Sequence, residues 1–157
     1  MNNYGQLGLG DRPLDLKGVV ASNSGGFNLH IPTQVTVSSN KPVSEVSVII
    51  SHIACGGAHT LLVDSLGYLY SSGSNSCGQL GHGGHADCST FQQIDPTHFY
   101  CAGENATRIA LCACGEEYSA AVSRGEGDVF TWGLGIAGQL SNGELSNRDH
   151  PTAMTAM

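Results

Sequence analysis

The chain has 157 residues, with 13 Asp and Glu against 6 Lys and Arg and a formal charge of −7, which fits one domain-sized region and excludes a large multidomain machine. Only 12% of its residues are charged, while 22 are glycine; that balance excludes a charge-swollen disordered chain and points to turn-rich β structure. The basic residues Arg12, Lys17, Lys41, Arg108, Arg124 and Arg148 stand singly, so no stripe forms to neutralise neighbouring phosphates and nucleic acid is not expected as a direct partner.

In chain order, residues 1–10 hold Asn2 and Gly5-Gln6-Leu7-Gly8-Leu9-Gly10, the end of a first motif. The opening MNNYGQLGLGDRP has neither a basic nor an apolar stretch, and no 18-residue apolar run occurs anywhere. An intracellular chain, cytoplasmic or nuclear, is therefore expected, without a membrane partner. The cysteines, Cys55, Cys77, Cys88, Cys101, Cys112 and Cys114, are then read as reduced thiols, and the sequon Asn105-Ala106-Thr107 is discounted. Residues 11–83 form a long unit whose extra length is expected in a loop insertion over 17–30, where Ser22-Asn23-Ser24-Gly25-Gly26 is loop-like. Strands are predicted at 46–54, 60–63 and 68–72. A second full unit, 84–143, is predicted to place strands at 109–113, 119–122 and 128–132, and 144–157 begins a further unit. These runs are rich in β-branched or aromatic residues and bounded by glycine, too short for helices.

The units are copies of one another. Gly67, Gly73, Gly78, Gln79, Leu80 and Gly83 recur at an offset of 60 as Gly127, Gly133, Gly138, Gln139, Leu140 and Gly143. Upstream, Ala54-Cys55-Gly56 through His59-Thr60 recurs at an offset of 59 as Ala113-Cys114-Gly115 through Tyr118-Ser119, and residues 2–10 match 75–83 at an offset of 73. Several short strands per unit of about 60 residues suit a propeller blade, which buries its faces against its neighbours.

Four landmarks in order, Cys-Gly-x-x-His/Tyr-Thr/Ser, Gly-x-apolar-aromatic, Gly-x-Asn/Gly and Gly-Gln-Leu, resemble the repeat of the regulator of chromosome condensation family. The resemblance covers most of the chain and is weakest over 14–41. It implies an all-β fold of four-stranded antiparallel blades in a seven-bladed β-propeller. At this length the expectation is a partial propeller of about two and a half blades, a fragment of a longer ring, with the remaining blades supplied in cis or by self-association. Three positions depart from the pattern: Ser141 replaces a turn glycine, Tyr118 replaces the usual His, and Trp132 occurs in one full copy only.

Chemistry-bearing patterns are few. Gly133-Leu-Gly-Ile-Ala-Gly138 has the spacing of a dinucleotide fingerprint, but its aligned copy, Gly73-Ser-Asn-Ser-Cys-Gly78, assigns Gly135 to a turn position able to take positive φ, and no cofactor is expected. Cys77, His82, His85 and Cys88 have a spacing that could serve tetrahedral zinc, yet Ala137 and Asn142 stand in place of Cys77 and His82 in the next unit and no metal is assigned. Cys112 and Cys114 are expected on one strand face as packed thiols. His59 is read as a polar-tipped ring pinning a turn to the adjacent blade rather than as a base, and Gln79 and Gln139 as satisfying turn backbone groups. The carboxylates Asp87, Glu116 and Glu117 are read as solvated turns.

With no catalytic constellation, the sequence points to a non-catalytic protein-interaction scaffold. The alternative, implied by the family's founding member, is guanine-nucleotide exchange on a Ran-like small GTPase; a zinc-binding variant ranks below both. The partner is expected to be a protein, with the 17–30 insertion as the specificity element.

Overall fold

The computed structural model describes residues 2–10, 19–21, 27–29, 34–35, 37–38, 48–100 and 107–154. Its strands are β1 (Val19–Ala21), β2 (Phe27–Leu29), β3 (Val37–Ser38), β4 (Ile50–Cys55), β5 (His59–Asp64), β6 (Leu69–Gly73), β7 (Cys88–Gln93), β8 (Ile109–Cys114), β9 (Tyr118–Ser123), β10 (Val129–Gly133) and β11 (Arg148–Ala153). Strands β4 to β7 make one antiparallel meander and β8 to β11 a second. These are two propeller blades side by side. The first carries a fifth strand, the two-residue β3, parallel to the outer edge of β7. Within the expected insertion, β1 and β2 pair antiparallel; positions 17–18, 22–26 and 30 lie outside the described residues, as do Cys101 and most of the sequon.

Strand β5 shows why a continuous apolar run forms a central strand. All of His59–Asp64 is buried, and its side chains alternate between two cores. Leu61 and Val63 face the second blade, in a cluster with Leu69, Ile94, Phe99, Ile109, Cys112, Phe130 and Trp132. Leu62 points the other way, with Tyr70 and Phe91 and the partly buried Val35, Val37, Val48 and Tyr68. The larger cluster lies between the sheets, so each blade completes its core with its neighbour, at about 1.5 to 3 kcal/mol for each large apolar side chain buried.

The crossing from the first blade to the second is anchored. Asp95 Oδ1 accepts bonds from the amide (2.9 Å) and hydroxyl (2.8 Å) of Thr97, capping a single 3-10 turn, Pro96–His98. The following Phe99 enters the shared core edge-on to Phe130 at 5.3 Å and to Trp132 at 6.1 Å.

The strand-joining turns close in a repeated way. After β5, buried Asp64 accepts the amides of Leu66 (2.9 Å) and Tyr68 (2.8 Å) and the hydroxyl of Tyr70 (3.1 Å). In the second blade Ser123 Oγ accepts the Asp128 amide at 2.8 Å. Burial and the adjacent Asp64 raise the pKa of Tyr70, so its hydroxyl stays protonated as the donor. At this same end Arg108 stacks on Tyr68 at 4.0 Å and Arg124 donates to Ser65 O at 3.2 Å.

Candidate functional site at the blade seam

The Gly-Gln-Leu motifs at 78–80 and 138–140 lie in the connection between the third and fourth strands of their meanders, and each, like the motif at 5–7, closes on itself. Gln79 Oε1 accepts the Cys77 amide at 2.9 Å, Gln139 Oε1 the Ala137 amide at 2.9 Å, and Gln6 Oε1 the Tyr4 amide at 3.1 Å. Asn75 Oδ1 accepts the Leu80 amide at 2.9 Å and Asn2 Oδ1 the Leu7 amide at 2.7 Å. Leu80 and Leu140 are fully buried beneath these turns, and Ser71 and Thr131 donate to their carbonyls at 2.8 and 2.7 Å. In each turn the glutamine side chain is used locally, and at Gln6 and Gln79 the backbone carbonyl serves the next sheet.

That carbonyl joins the blades. Gln79 O accepts Ser119 Oγ–H at 2.7 Å and Trp132 Nε1–H at 2.9 Å, both from the second sheet. One unit earlier, Gln6 O accepts Thr60 Oγ1–H at 2.9 Å and Ser72 Oγ–H at 3.4 Å, from the residues aligned with Ser119 and Trp132. The same joint thus appears twice, and Ser72 shows that it forms without an indole.

His59 extends the joint. Its Nε2 lies 3.0 Å from Ser119 Oγ; because the Ser119 hydrogen goes to Gln79 O, His59 donates from Nε2, which fixes its tautomer. The ring is 1% exposed and its Nδ1 is buried without a hydrogen bond. A β-carbon on Gly56 would stand 2.3 Å from the His59 ring, and one on Gly115 2.0 Å from the Tyr118 ring. The Cys-Gly-x-x-His/Tyr spacing is therefore a steric fit: the glycine after Cys55 or Cys114 makes room for the ring three residues later.

Burial holds the His59 pKa at about 4, below its ordinary 6.5. The unfolded chain takes up the proton first as pH falls, so stability is full at neutral pH and declines between about 6.5 and about 4. Native stability should drop by about 2 to 3 kcal/mol across that window. Urea midpoints measured at pH 7 and pH 4 for wild type and His59→Gln check this, the variant losing most of the difference.

On the end of the blades where these motifs converge, a cleft of about 340 Å³ opens between the sheets, lined by Tyr4, Gly57, Ala58, Ser74, Ser76, Gln79, Asp87, Glu116 and Glu117. Asp87 meets the adjacent pair Glu116 and Glu117, distant from it in sequence, beside the half-exposed Tyr4. Asp87 Oδ1 accepts the Asn75 amide at 2.8 Å, and Glu116 O accepts the Gly57 amide at 3.0 Å, tying the two inner turns together. The described arginines Arg108, Arg124 and Arg148 lie elsewhere, so the cleft has an acidic lining. Adjacent in sequence, Glu116 and Glu117 carry no sign of a site there; only the apposition of the sheets brings Asp87 and Tyr4 to them.

The other sequence candidates do not converge. Cys88 Sγ donates to Thr90 O at 3.0 Å, Cys77 lies beside Ser76 and Glu117, His82 Nε2 bonds Ser71 Oγ at 2.8 Å, and His85 is exposed. Among the described residues no three His, Cys, Asp or Glu side chains are placed to hold a metal ion. Cys112 and Cys114 face the shared core, where burial first and neighbouring thiols second push each pKa up to about 12, so both remain unreactive thiols at neutral pH. Gly133–Gly138 leaves β10 for a turn, with no helix N-terminus for a phosphate. One expectation is corrected: Gly135 does not have positive φ. Glycine is required there by close approach, since a β-carbon would stand 1.9 Å from Ser146 O. Ser141 does adopt the left-handed conformation, at φ 52°, while the aligned Gly8 and Gly81 take it at 66° and 76°.

The description "Regulator of chromosome condensation (RCC1) repeat" matches residues 1–63, 67–122 and 126–157, and a second RCC1 repeat description matches 50–79. The ultraviolet-B receptor UVR8 of Arabidopsis thaliana is 32% identical over 157 residues, covering 99% of this chain and 29% of that protein. The probable E3 ubiquitin-protein ligase HERC4 of Homo sapiens is 31% identical over 152 residues, covering 96% of this chain and 12% of that protein. Prp20p of Saccharomyces cerevisiae, described with its binding to Gsp1p and histones, superposes with a TM-score of 0.73 at 21% identity, over 99% of this chain and 33% of its own. This chain therefore spans a third or less of each of these relatives. No helix among the described residues is long and apolar enough to cross a membrane. With matches over nearly its whole length and two blades joined through the same motif carbonyl, the chain belongs to the regulator of chromosome condensation (RCC1) repeat family.

Proposed function

We propose that this chain is part of a non-catalytic protein-interaction scaffold, in which the repeat motifs hold the blades and the turn end around the seam cleft meets a partner protein. The observation that supports this most directly is the division of labour at the seam. His59, Ser119, Trp132 and the Gln79 carbonyl are occupied in joining the blades, whereas Asp87, Glu116, Glu117 and Tyr4 line an open cleft on a rigid frame. Such a surface suits a partner that presents basic side chains.

Guanine-nucleotide exchange on a Ran-like GTPase is the second reading, favoured by the likeness to Prp20p, which is described with its binding to Gsp1p. Two measurements on the full-length protein separate them. Under the scaffold reading, the paired substitution Glu116→Lys and Glu117→Lys abolishes partner capture, and the wild-type protein does not accelerate nucleotide release from a panel of small GTPases. Accelerated release would establish exchange instead, and capture unchanged by the charge reversal would remove the cleft from the interface.

A further inference from the structure

Away from the cleft, two imidazoles meet across the outer seam of the blades. His98 ends the 3-10 turn that leaves the first sheet, and His150 lies on β11 of the second. We propose that His98 and His150 form a two-imidazole site for a borderline divalent transition cation of the Zn²⁺ class, clamping the exit of one blade to the outer strand of the next.

The geometry carries the inference. The ring centroids are 5.5 Å apart with planes inclined by 43°. Two imidazoles on one tetrahedral cation, with metal–nitrogen bonds of about 2.0 to 2.1 Å, bring their centroids to about 5 Å. His150 is oriented as ligating histidines are: its Nδ1 donates to Asp149 Oδ1 at 2.8 Å, leaving Nε2 as the donor atom toward a metal. Asp149 is itself held, because its Oδ2 accepts the Gly84 amide at 2.9 Å. Across the seam, His98 Nδ1 is buried without a hydrogen bond. Its backbone is fixed from both sides, by the Asp95 cap before it and the buried Phe99 after it. Both rings thus sit on rigid supports, as a metal site requires. The protein supplies two ligands, and water completes the coordination shell.

The test titrates Zn²⁺ into the full-length, reduced protein by calorimetry, with the metal-dependent rise in melting temperature as a second readout. The expected result is one site that is lost in both His98→Asn and His150→Asn, stays within twofold of wild type in His85→Asn, and weakens about tenfold in Asp149→Asn. His150 is half exposed, so its variant leaves the core intact, and melting without metal verifies folding of each protein. Absence of a site in wild type, or a site that survives His150→Asn, overturns the proposal.

Discussion

Trp132→Ala should lower the unfolding free energy by about 3 to 5 kcal/mol, a large part of the roughly 5 to 15 kcal/mol that holds an ordinary domain folded. The indole is fully buried in the cluster shared by both sheets, edge-on to Phe99, and donates to the Gln79 carbonyl. Alanine removes the ring from the core and leaves that carbonyl with Ser119 alone. Trp132→Phe separates the two losses: it keeps most of the volume but has no N–H, and should cost about 1 kcal/mol for the bond plus a smaller packing change. Because Trp132 is the only tryptophan, urea unfolding should be followed by circular dichroism. A Trp132→Ala protein within 1 kcal/mol of wild type, roughly the size of an average substitution, would mean that the seam is not where the blades gain their stability.

Gly133→Ala should be nearly as damaging, and its comparison with Gly143→Ala shows why. Both glycines have positive φ, 97° and 81°, which costs an L side chain about 1 to 2 kcal/mol. At Gly143 a β-carbon meets nothing within 4 Å, so that conformational term is the whole cost. At Gly133 it would stand 2.6 Å from Glu117 O and 2.7 Å from Tyr118 Cα, backbone atoms that cannot turn away. Accommodating it disturbs the Gly133–Tyr118 register and the Leu134 amide bond to Glu117 O. We expect a loss above about 3 kcal/mol at Gly133 and about 1 to 2 kcal/mol at Gly143. Equal losses in urea titration would show that backbone conformation alone sets both.

The fold was legible where residue pattern and backbone demand coincide. Six strands announce themselves as short β-branched or aromatic runs bounded by glycine; β5, β6, β9 and β10 lie inside their sheets with buried faces, whereas β4 and β8 keep the same apolar pattern as edge strands, β4 with none of its residues buried. Strands β7 and β11 do not. Cys88–Gln93 and Arg148–Ala153 are mostly polar, since each is the outer antiparallel strand of its meander, and only the resemblance to four-stranded blades implied them. The start of the strand predicted over 46–54 falls partly outside the described residues, and β4 itself begins at Ile50. Gly135 shows a further limit: the sequence marks a place where only a small residue serves, but backbone conformation and close approach leave the same mark.

From the sequence alone came the repeat, the all-β class and the family, because recurring Gly, Gln and Leu record a backbone that must turn in the same way in every unit. It also isolated His59 and the Gln-bearing turns, whose spacing is a local matter. Partnership was decided by tertiary structure. The Gln79 carbonyl serves Ser119 and Trp132, 40 and 53 residues away, and main-chain atoms leave no trace in residue identity. Tyr4, Asp87 and Glu116 share a cleft, and His98 meets His150, only because two sheets pack face to face and bring distant turns to one seam. Local spacing is written in the chain, whereas the coincidence of surfaces exists only once the blades are stacked.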